Sequence, residues 1–591
     1  MFQTTVGHAI QRSQEHLLKL QDPAGFWLGE LEADSTITAE YLLLRHLLGT
    51  PDPALEVKAV RYLRERQGAD GAWNLYEGGA GDISASIKAY FAMKMAGVPP
   101  TDAAMVRARE WILAHGGPVQ ANVFTKITLA LFGQYPWGGV PAMPVEIMLL
   151  PRWAYFNIYA ISYWSRTVIV PLLIIMDRRP VHLLPPERGL EELWAHHLHL
   201  EDPAYARKGW VSWKNFFIGV DGVVKAWEGY GPRPWRARGI RAAHDWLVPR
   251  VSAPGGLGGI YPAMANAVLA LRLLGYSDDH PLVAGQLKEL VALGIEESKR
   301  FHVQPCVSPV WDTTLALNAL LESGVPAGHP ALVRATDWLL DRQIFEPGDW
   351  QACRPGLEPG GWPFQFDNEF YPDLDDTAMV LMGLAHVDHP DEARLRPAIE
   401  RGVRWLVGMQ GKDGGWASFD TDQTRLLLNN IPFADHLVRA VGRELPLRDL
   451  VRPPWARGDR HRARAPDGAP CGRLDRAAPE RRRRLGRDVR LVRGSAAGRH
   501  RALDPQSDGL GAPRPLRRRP DRGTGSGARA RLPSVDPAKG RRVGRSLLER
   551  HGLPARLLSE VPSVCALLPA LGAGGLAPAS FMSRPGRPRR A

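Results

Sequence analysis

Residues 62–73 read YLRERQGADGAW, and three residues of that stretch, Gln67, Gly71 and Trp73, return in the same order elsewhere in the chain. LLKLQDPAGFW (17–27) ends on Gln21, Gly25 and Trp27, WLLDRQIFEPGDW (338–350) on Gln343, Gly348 and Trp350, and WLVGMQGKDGGW (405–416) on Gln410, Gly414 and Trp416. Each copy closes an apolar helix. A Gln at that end can bond orphan backbone groups, Gly permits a sharp turn, and Trp covers the junction. Four copies in order define an internal repeat. The segments between them are one-sided helices: Leu55, Ala59, Tyr62 and Leu63 share a face, as do Ile399, Val403 and Leu406. Strand-like alternation is scarce, so the expected fold is all-α, a curved or layered helical wall.

The whole chain bounds the answer further. Its 591 residues exceed one ordinary core, which predicts two or more domains, and 45% apolar residues supply the cores. The formal charge of +13 divides unevenly: residues 1–436 carry −10 and residues 437–591 carry +23. That second part has no Tyr, Ile or Asn and one Lys, Lys539, and its only aromatics are Trp455 and Phe581. Residues with AT-rich codons are missing together, as in a GC-rich gene read out of frame, so the segment reads as a frameshifted tail. The alternative is a disordered basic arm whose arginine runs suit phosphates, but no aromatics interleave with them, and no nucleic-acid partner is expected. The start of the chain lacks the apolar run of a secretory signal, and its longest apolar stretch, VIVPLLIIM (168–176), is too short to span a bilayer. Cys306, Cys353, Cys471 and Cys565 show neither metal-ligand spacing nor a disulfide framework. A reducing, cytosolic-side location follows as the expectation.

YPDLDDTAMV (371–380) crowds Asp373, Asp375 and Asp376 against an apolar run. Such a cluster can simply cap a helix, with Pro372 at its entrance. A calcium loop starting at Asp373 would want Gly and Glu where Ala378 and Leu384 stand, and a diphosphate-binding acidic motif would want a carboxylate where Met379 stands. No metal site is expected. The other reading is an acid, because carboxyls this close cannot all ionise in an apolar cavity and one stays protonated. Trp311, Trp362, Phe364, Phe366, Phe370 and Tyr371 surround it in sequence, and aromatic faces steady a cation without quenching it. Acid plus aromatic cavity points to alkene protonation and carbocation chemistry.

In these motifs the chain resembles the squalene-hopene cyclases of the terpene cyclase family. The likeness rests on the Gln-Gly-Trp turns, on DLDDTA, and on VSPVWDT, GGWPFQFDN, GGIYPAMANA and NNIPFAD, and covers residues ~10–436. It implies two α/α-barrels: an arm at 1–30 packing on the second barrel, the first barrel at 31–305, and the second, catalytic and incomplete, at 306–436, before the tail at 437–591. It implies further that Asp375 gives a proton to squalene, tuned by Asp373 and Asp376. Trp164, Trp311, Phe364 and Phe419 would line the cation path, Ile260, Tyr261 and Pro262 the cavity wall or entrance, and Gln365 the end near the terminating water. The product would be hopene or hopanol, with no cofactor, on a monotopic protein at the cytoplasmic face of the membrane, with room for a homodimer.

The resemblance stops after NNIPFAD. The family's later part should bring a His polarising the donor and the aromatics closing the second barrel, so this chain is expected to cyclise little or nothing. The segment 230–251 mixes Trp with Arg and reads equally as an interfacial anchor or a solvated basic face. The chemical rival is a class II diterpene cyclase, whose substrate carries a diphosphate; the rival of another class is a noncatalytic helical toroid that binds lipid.

Overall fold

A computed structural model describes residues 2–194, 205, 212–231 and 233–422. NNIPFAD, Cys471, Cys565 and the basic tail lie outside the described residues. The chain is all-α. Among the described residues sixteen α-helices run from Phe2–Leu20 to Glu392–Gly408, and the strands are two short antiparallel pairs, Trp73–Asn74 with Gly81–Asp82 and Gly294–Glu296 with Phe301–Val303. Asp or Asn starts helix after helix by accepting a backbone N–H, as Asp52, Asp82, Asp102, Asn122 and Asp391 do. Each such cap contributes about 1 kcal/mol.

The buried side chains form two clusters. One draws on residues from Ala39 to Val303. The other runs from Val310 to Met409 and adds Trp27 and Tyr163 from far upstream. The N-terminal helix, Phe2–Leu20, sits on the second set: Gln14 Nε2 donates to the Ser323 carbonyl at 2.8 Å, and the Phe26 ring lies 5.2 Å from that of Trp338.

The repeat found in the sequence is a hydrogen-bonded device. Gln67 Nε2 donates to the carbonyls of Gly71 and Ala104, both at 2.9 Å, Arg107 donates back to Gln67 Oε1 at 2.8 Å, and Trp73 Nε1 donates to Leu63 O at 2.7 Å. Gln21 repeats this with Gly25, Ala331 and Arg334, and Trp27 with Leu17. One Gln therefore ties its own turn to the first turn of a neighbouring helix. Gly is required there: Gly71 has φ 92°, and a Cβ on it would stand 2.7 Å from the Arg107 carbonyl oxygen.

The third copy differs from its reading in the sequence. Gln343 pairs with Gly360, Ala398 and Arg401, and it is Trp362, not Trp350, that donates to Leu339 O, at 2.7 Å. Residues 344–359 are an excursion that carries its own Gly-Asp-Trp at 348–350, and sequence spacing selected the nearer pair. Trp350 is fully buried all the same, edge-on to Trp405 at 5.9 Å. At the fourth copy Gln410 bonds Gly414 O at 2.7 Å and Trp416 bonds Leu406 O, with no second helix joined among the described residues.

Candidate active site

The Leu374–Leu384 helix begins at the acid cluster, and the Gln-Gly-Trp device fixes where. Trp362 and Asp373 form an antiparallel bridge, with Asp373 N–H donating to Trp362 O at 2.8 Å. Thr377 Oγ1 donates to Asp373 O at 2.6 Å and accepts from Trp362 N–H at 2.9 Å. Asp373 is the N-cap, its Oδ1 accepting from Asp375 N–H at 3.0 Å. The capping reading and the acid reading are therefore compatible: one carboxyl caps and holds the next in place.

Burial then sets the protonation. Asp373 is 4% exposed, Asp376 1% exposed, and Asp375 half-buried. Desolvation pushes all three carboxyls above the ordinary aspartate range. Repulsion adds to it: Asp375 on Asp373, and Asp373, Asp375 and Asp312 on Asp376. Asp376 Oδ1 has no hydrogen-bond partner among the described residues, which suits a neutral carboxyl better than a buried charge. Asp312, one residue past Trp311, is pushed up to about 6 by burial, against the pull of Gly29 N–H at 2.8 Å and Ser308 Oγ at 3.0 Å. Four carboxyls that burial pushes toward the neutral form thus gather at the starts of two neighbouring helices, Pro309–Glu322 and Leu374–Leu384.

Several residues singled out in the sequence meet here. Trp164 lies 5.9 Å from Tyr371 and 5.6 Å from Phe419, ring to ring. Phe419 is 36% exposed, and the Trp164 indole N–H is buried without an acceptor among the described residues. Gln365, 3% exposed, accepts from Asn368 Nδ2 at 2.8 Å and donates to Gly258 O at 3.3 Å, which ties it to the turn leading into Ile260, Tyr261 and Pro262. Tyr261 is buried; Ile260 and Pro262 are half-buried. Trp311 and Phe364 are half-buried, and no ring pairing joins either of them to Trp164, Tyr371 or Phe419. No metal-holding group of His, Cys, Asp or Glu occurs among the described residues.

The sequence reading missed Tyr163, Ser418 and the Arg166–Asp420 pair. Tyr163 is fully buried, stacks on Tyr371 at 5.9 Å and donates its hydroxyl to Pro372 O. Arg166 and Asp420 form an ion pair at 3.2 Å, their side chains 0% and 1% exposed. Leu374 N–H donates to Ser418 O at 3.1 Å. Their only sequence signal was adjacency to Trp164 and Phe419.

The profile of the squalene-hopene cyclase N-terminal domain matches residues 10–299, and that of the C-terminal domain residues 307–441. The chain belongs to the squalene-hopene cyclase family. It is 43% identical over 439 residues to the squalene-hopene cyclase of Zymomonas mobilis, covering 72% of this chain and 66% of that one. It is 44% identical over 440 residues to that of Bradyrhizobium diazoefficiens (72% and 66%) and 41% over 429 residues to that of Alicyclobacillus acidocaldarius (72% and 67%). The chain spans about two thirds of the length of these relatives.

The surface offers one further feature. The Trp213–Tyr230 helix exposes Trp213, Phe216, Val220, Val223, Trp227 and Tyr230 at alternating spacings of three and four, a single apolar stripe. The segment 230–251, which reads in the sequence as either an interfacial anchor or a solvated basic face, is partly buried. Within Arg233–Val251, Trp246, Leu247 and Val251 are buried, and Trp235 is its exposed large apolar residue. No described helix is long and apolar enough to cross a membrane.

Proposed function

We propose that this site is the acid of a squalene-hopene cyclase, with Asp375 donating a proton to a terminal double bond of squalene. The observation that supports it most is the placement of Asp375: half-buried, flanked by two buried carboxyls raised by desolvation, and one residue past Leu374, whose N–H binds the segment carrying Phe419. Burial and the mutual repulsion of Asp373, Asp375 and Asp376 favour the neutral form, so that the cluster holds a proton. Protonating the alkene leaves a tertiary carbocation. The faces of Trp164 and Phe419, and further along Trp311 and Phe364, stabilise the cation as ring closures move it, each by about 1–2 kcal/mol when desolvated. Near Gln365, loss of a proton gives hopene and capture of water gives hopanol. This chemistry needs no metal or redox group.

The two cores support a division into barrels at 31–305 and 306–436, with the arm at 1–30 on the second. The apolar stripe of Trp213–Tyr230, beside exposed Arg233, Arg238 and Arg241, suits a helix lying in a membrane surface, the source of so apolar a substrate. Residence on the cytoplasmic face and pairing into a homodimer belong to the same reading and rest on the family alone. The test is full-length chain with squalene in D₂O. The expected outcome is slow conversion, far below that of the longer relatives, to polycyclic product carrying one deuterium, abolished by Asp375→Asn. Equal deuteration by the Asp375→Asn chain, or none by either, overturns the proposal.

A further inference from the structure

Two residues past Trp164 on the Tyr163–Arg178 helix stands Arg166, 0% exposed and charged. Its guanidinium serves three segments. Nε donates to the Ile161 carbonyl at 3.0 Å, just ahead of the helix, Nη1 to the Asp349 carbonyl at 3.5 Å, and Nη2 to Asp420 Oδ2 at 3.2 Å. The other oxygen of Asp420 accepts from Thr421 N–H at 2.8 Å, so that carboxylate is bonded at both ends. The guanidinium carbon also lies over the Tyr159 ring, at 5.1 Å. A rigid planar fork suits this task; a lysine ammonium, a point charge on a flexible stem, has no such fork.

The residue next to Asp420 is Phe419. Its ring is 36% exposed, and among the described residues the one ring it pairs with is Trp164, at 5.6 Å and 57°. Two bonds fix the backbone on either side of it: Ser418 O accepts from Leu374 N–H at 3.1 Å, and Asp420 pairs with Arg166. Trp164 is held from the other direction, 5.9 Å from Tyr371, which in turn stacks on Tyr163. One ion pair thus joins the neighbours of both rings, residue 166 on the side of Trp164 and residue 420 on the side of Phe419. The pair is also neutral as a unit. A lone buried guanidinium beside these rings would repel a carbocation, and Asp420 cancels its charge where solvent does not reach.

We infer that Arg166 and Asp420 are positioning residues: their buried ion pair sets Phe419 against Trp164, and so holds the two faces that receive the carbocation once the alkene is protonated. The inference deepens the reading of Trp164 and Phe419 as cation-stabilising faces and rests on it. Without the pair the proton is still delivered, because the acid helix is held separately by Trp362, Thr377 and the Asp373 cap. Phe419 then turns away from Trp164, and the cation, short of one face, ends early. After one or two ring closures it loses a proton to give an alkene or takes water to give an alcohol.

The experiment places 4-fluorophenylalanine at position 419 of the full chain and reads its ¹⁹F resonance, with Trp164→Leu showing what the Trp164 ring current contributes. Arg166→Met combined with Asp420→Leu replaces the pair by apolar side chains, which buried sites commonly tolerate, and should move the resonance to where Trp164→Leu puts it. The same label at Phe91, edge-on to Phe132 at 5.0 Å in the first core, should stay in place and reports that the chain is folded. Arg166→Lys keeps the charge and loses the fork; it should move the resonance less, and it decides the matter if the double variant does not fold. With squalene in D₂O, the double variant should still incorporate deuterium, while its ratio of mono- and bicyclic to pentacyclic product rises about tenfold. A resonance that stays in the folded variants overturns the inference, and so does an unchanged product ratio beside a moved resonance in a chain that converts squalene. Because the resonance needs no turnover, its movement in a chain that leaves squalene untouched supports the positioning and counts against the proposed reaction alone.

Discussion

The chain builds one helix start twice, at Asp82–Ser86 and at Asp373–Thr377, and fills it differently. Both are held by a Gln-Gly-Trp device, both pair a Trp with the capping Asp, and both pass a hydroxyl from the fourth residue past the cap back to that Trp. Past the cap the first has Ile83, Ser84 and Ala85, the second Leu374, Asp375 and Asp376. Ala85 is fully buried, and Asp376 very nearly so. A dry, rigid niche made by the fold thus exists in both places. The difference lies in two side chains, and it shows that the fold supplies the desolvation while the sequence decides whether anything there can lose a proton.

The harshest way to break the comparison is to transplant the acids. Ser84→Asp with Ala85→Asp puts two carboxyls into a niche that has no spent binding energy to hold them, and should destabilise the chain by about 5 kcal/mol at neutral pH in urea melts. Burial would raise both pKa values above their unfolded ones, so stability should return as pH falls through the folded values. A neutral effect would mean that the first niche is wet and the likeness superficial.

Next in size is Asp375→Asn, expected to lower squalene consumption by about 10²–10⁴-fold with the melting temperature unchanged or raised. The Gln device sharpens the comparison in another way. Gln343→Ala removes two donated bonds and leaves Arg401 without its acceptor, and should cost about 3 kcal/mol; Gln410→Ala, which loses one bond at an exposed turn, should cost under about 1 kcal/mol. The smallest effect is expected from Asp312→Asn. Asp312 is pushed from 3.8 up to about 6, so the folded chain binds more protons than the unfolded one between those values. Stability falls with rising pH across that window, and the variant should flatten this part of the curve in melts taken from pH 4 to 7.

The all-α fold was legible because the Gln-Gly-Trp order and helical periodicity are local patterns, and each is answered by a local bond, as Trp73 to Leu63 shows. The third turn was misread because a local pattern cannot say which of two Gly-x-Trp triplets closes a loop. Only packing on the next helix, through Ala398 and Arg401, distinguishes Trp362 from Trp350. The segment 230–251 stayed open between an interfacial anchor and a solvated basic face for a similar reason. Trp and Arg mix over 230–251, yet the burial of Trp246 and Leu247 is decided by neighbours distant in sequence, and an exposed apolar stripe lies one helix earlier.

The sequence by itself determined the repeat, the helical fold and the three carboxyls at 373, 375 and 376, since these depend on residue types at short spacing. The tertiary structure alone decided which carboxyls are dry, that Asp312 joins them across the helix pair, and that Ser418, more than forty residues on, takes the Leu374 N–H at the start of the acid helix. Desolvation and proximity are properties of surroundings, and those come from segments that meet only when the chain is folded.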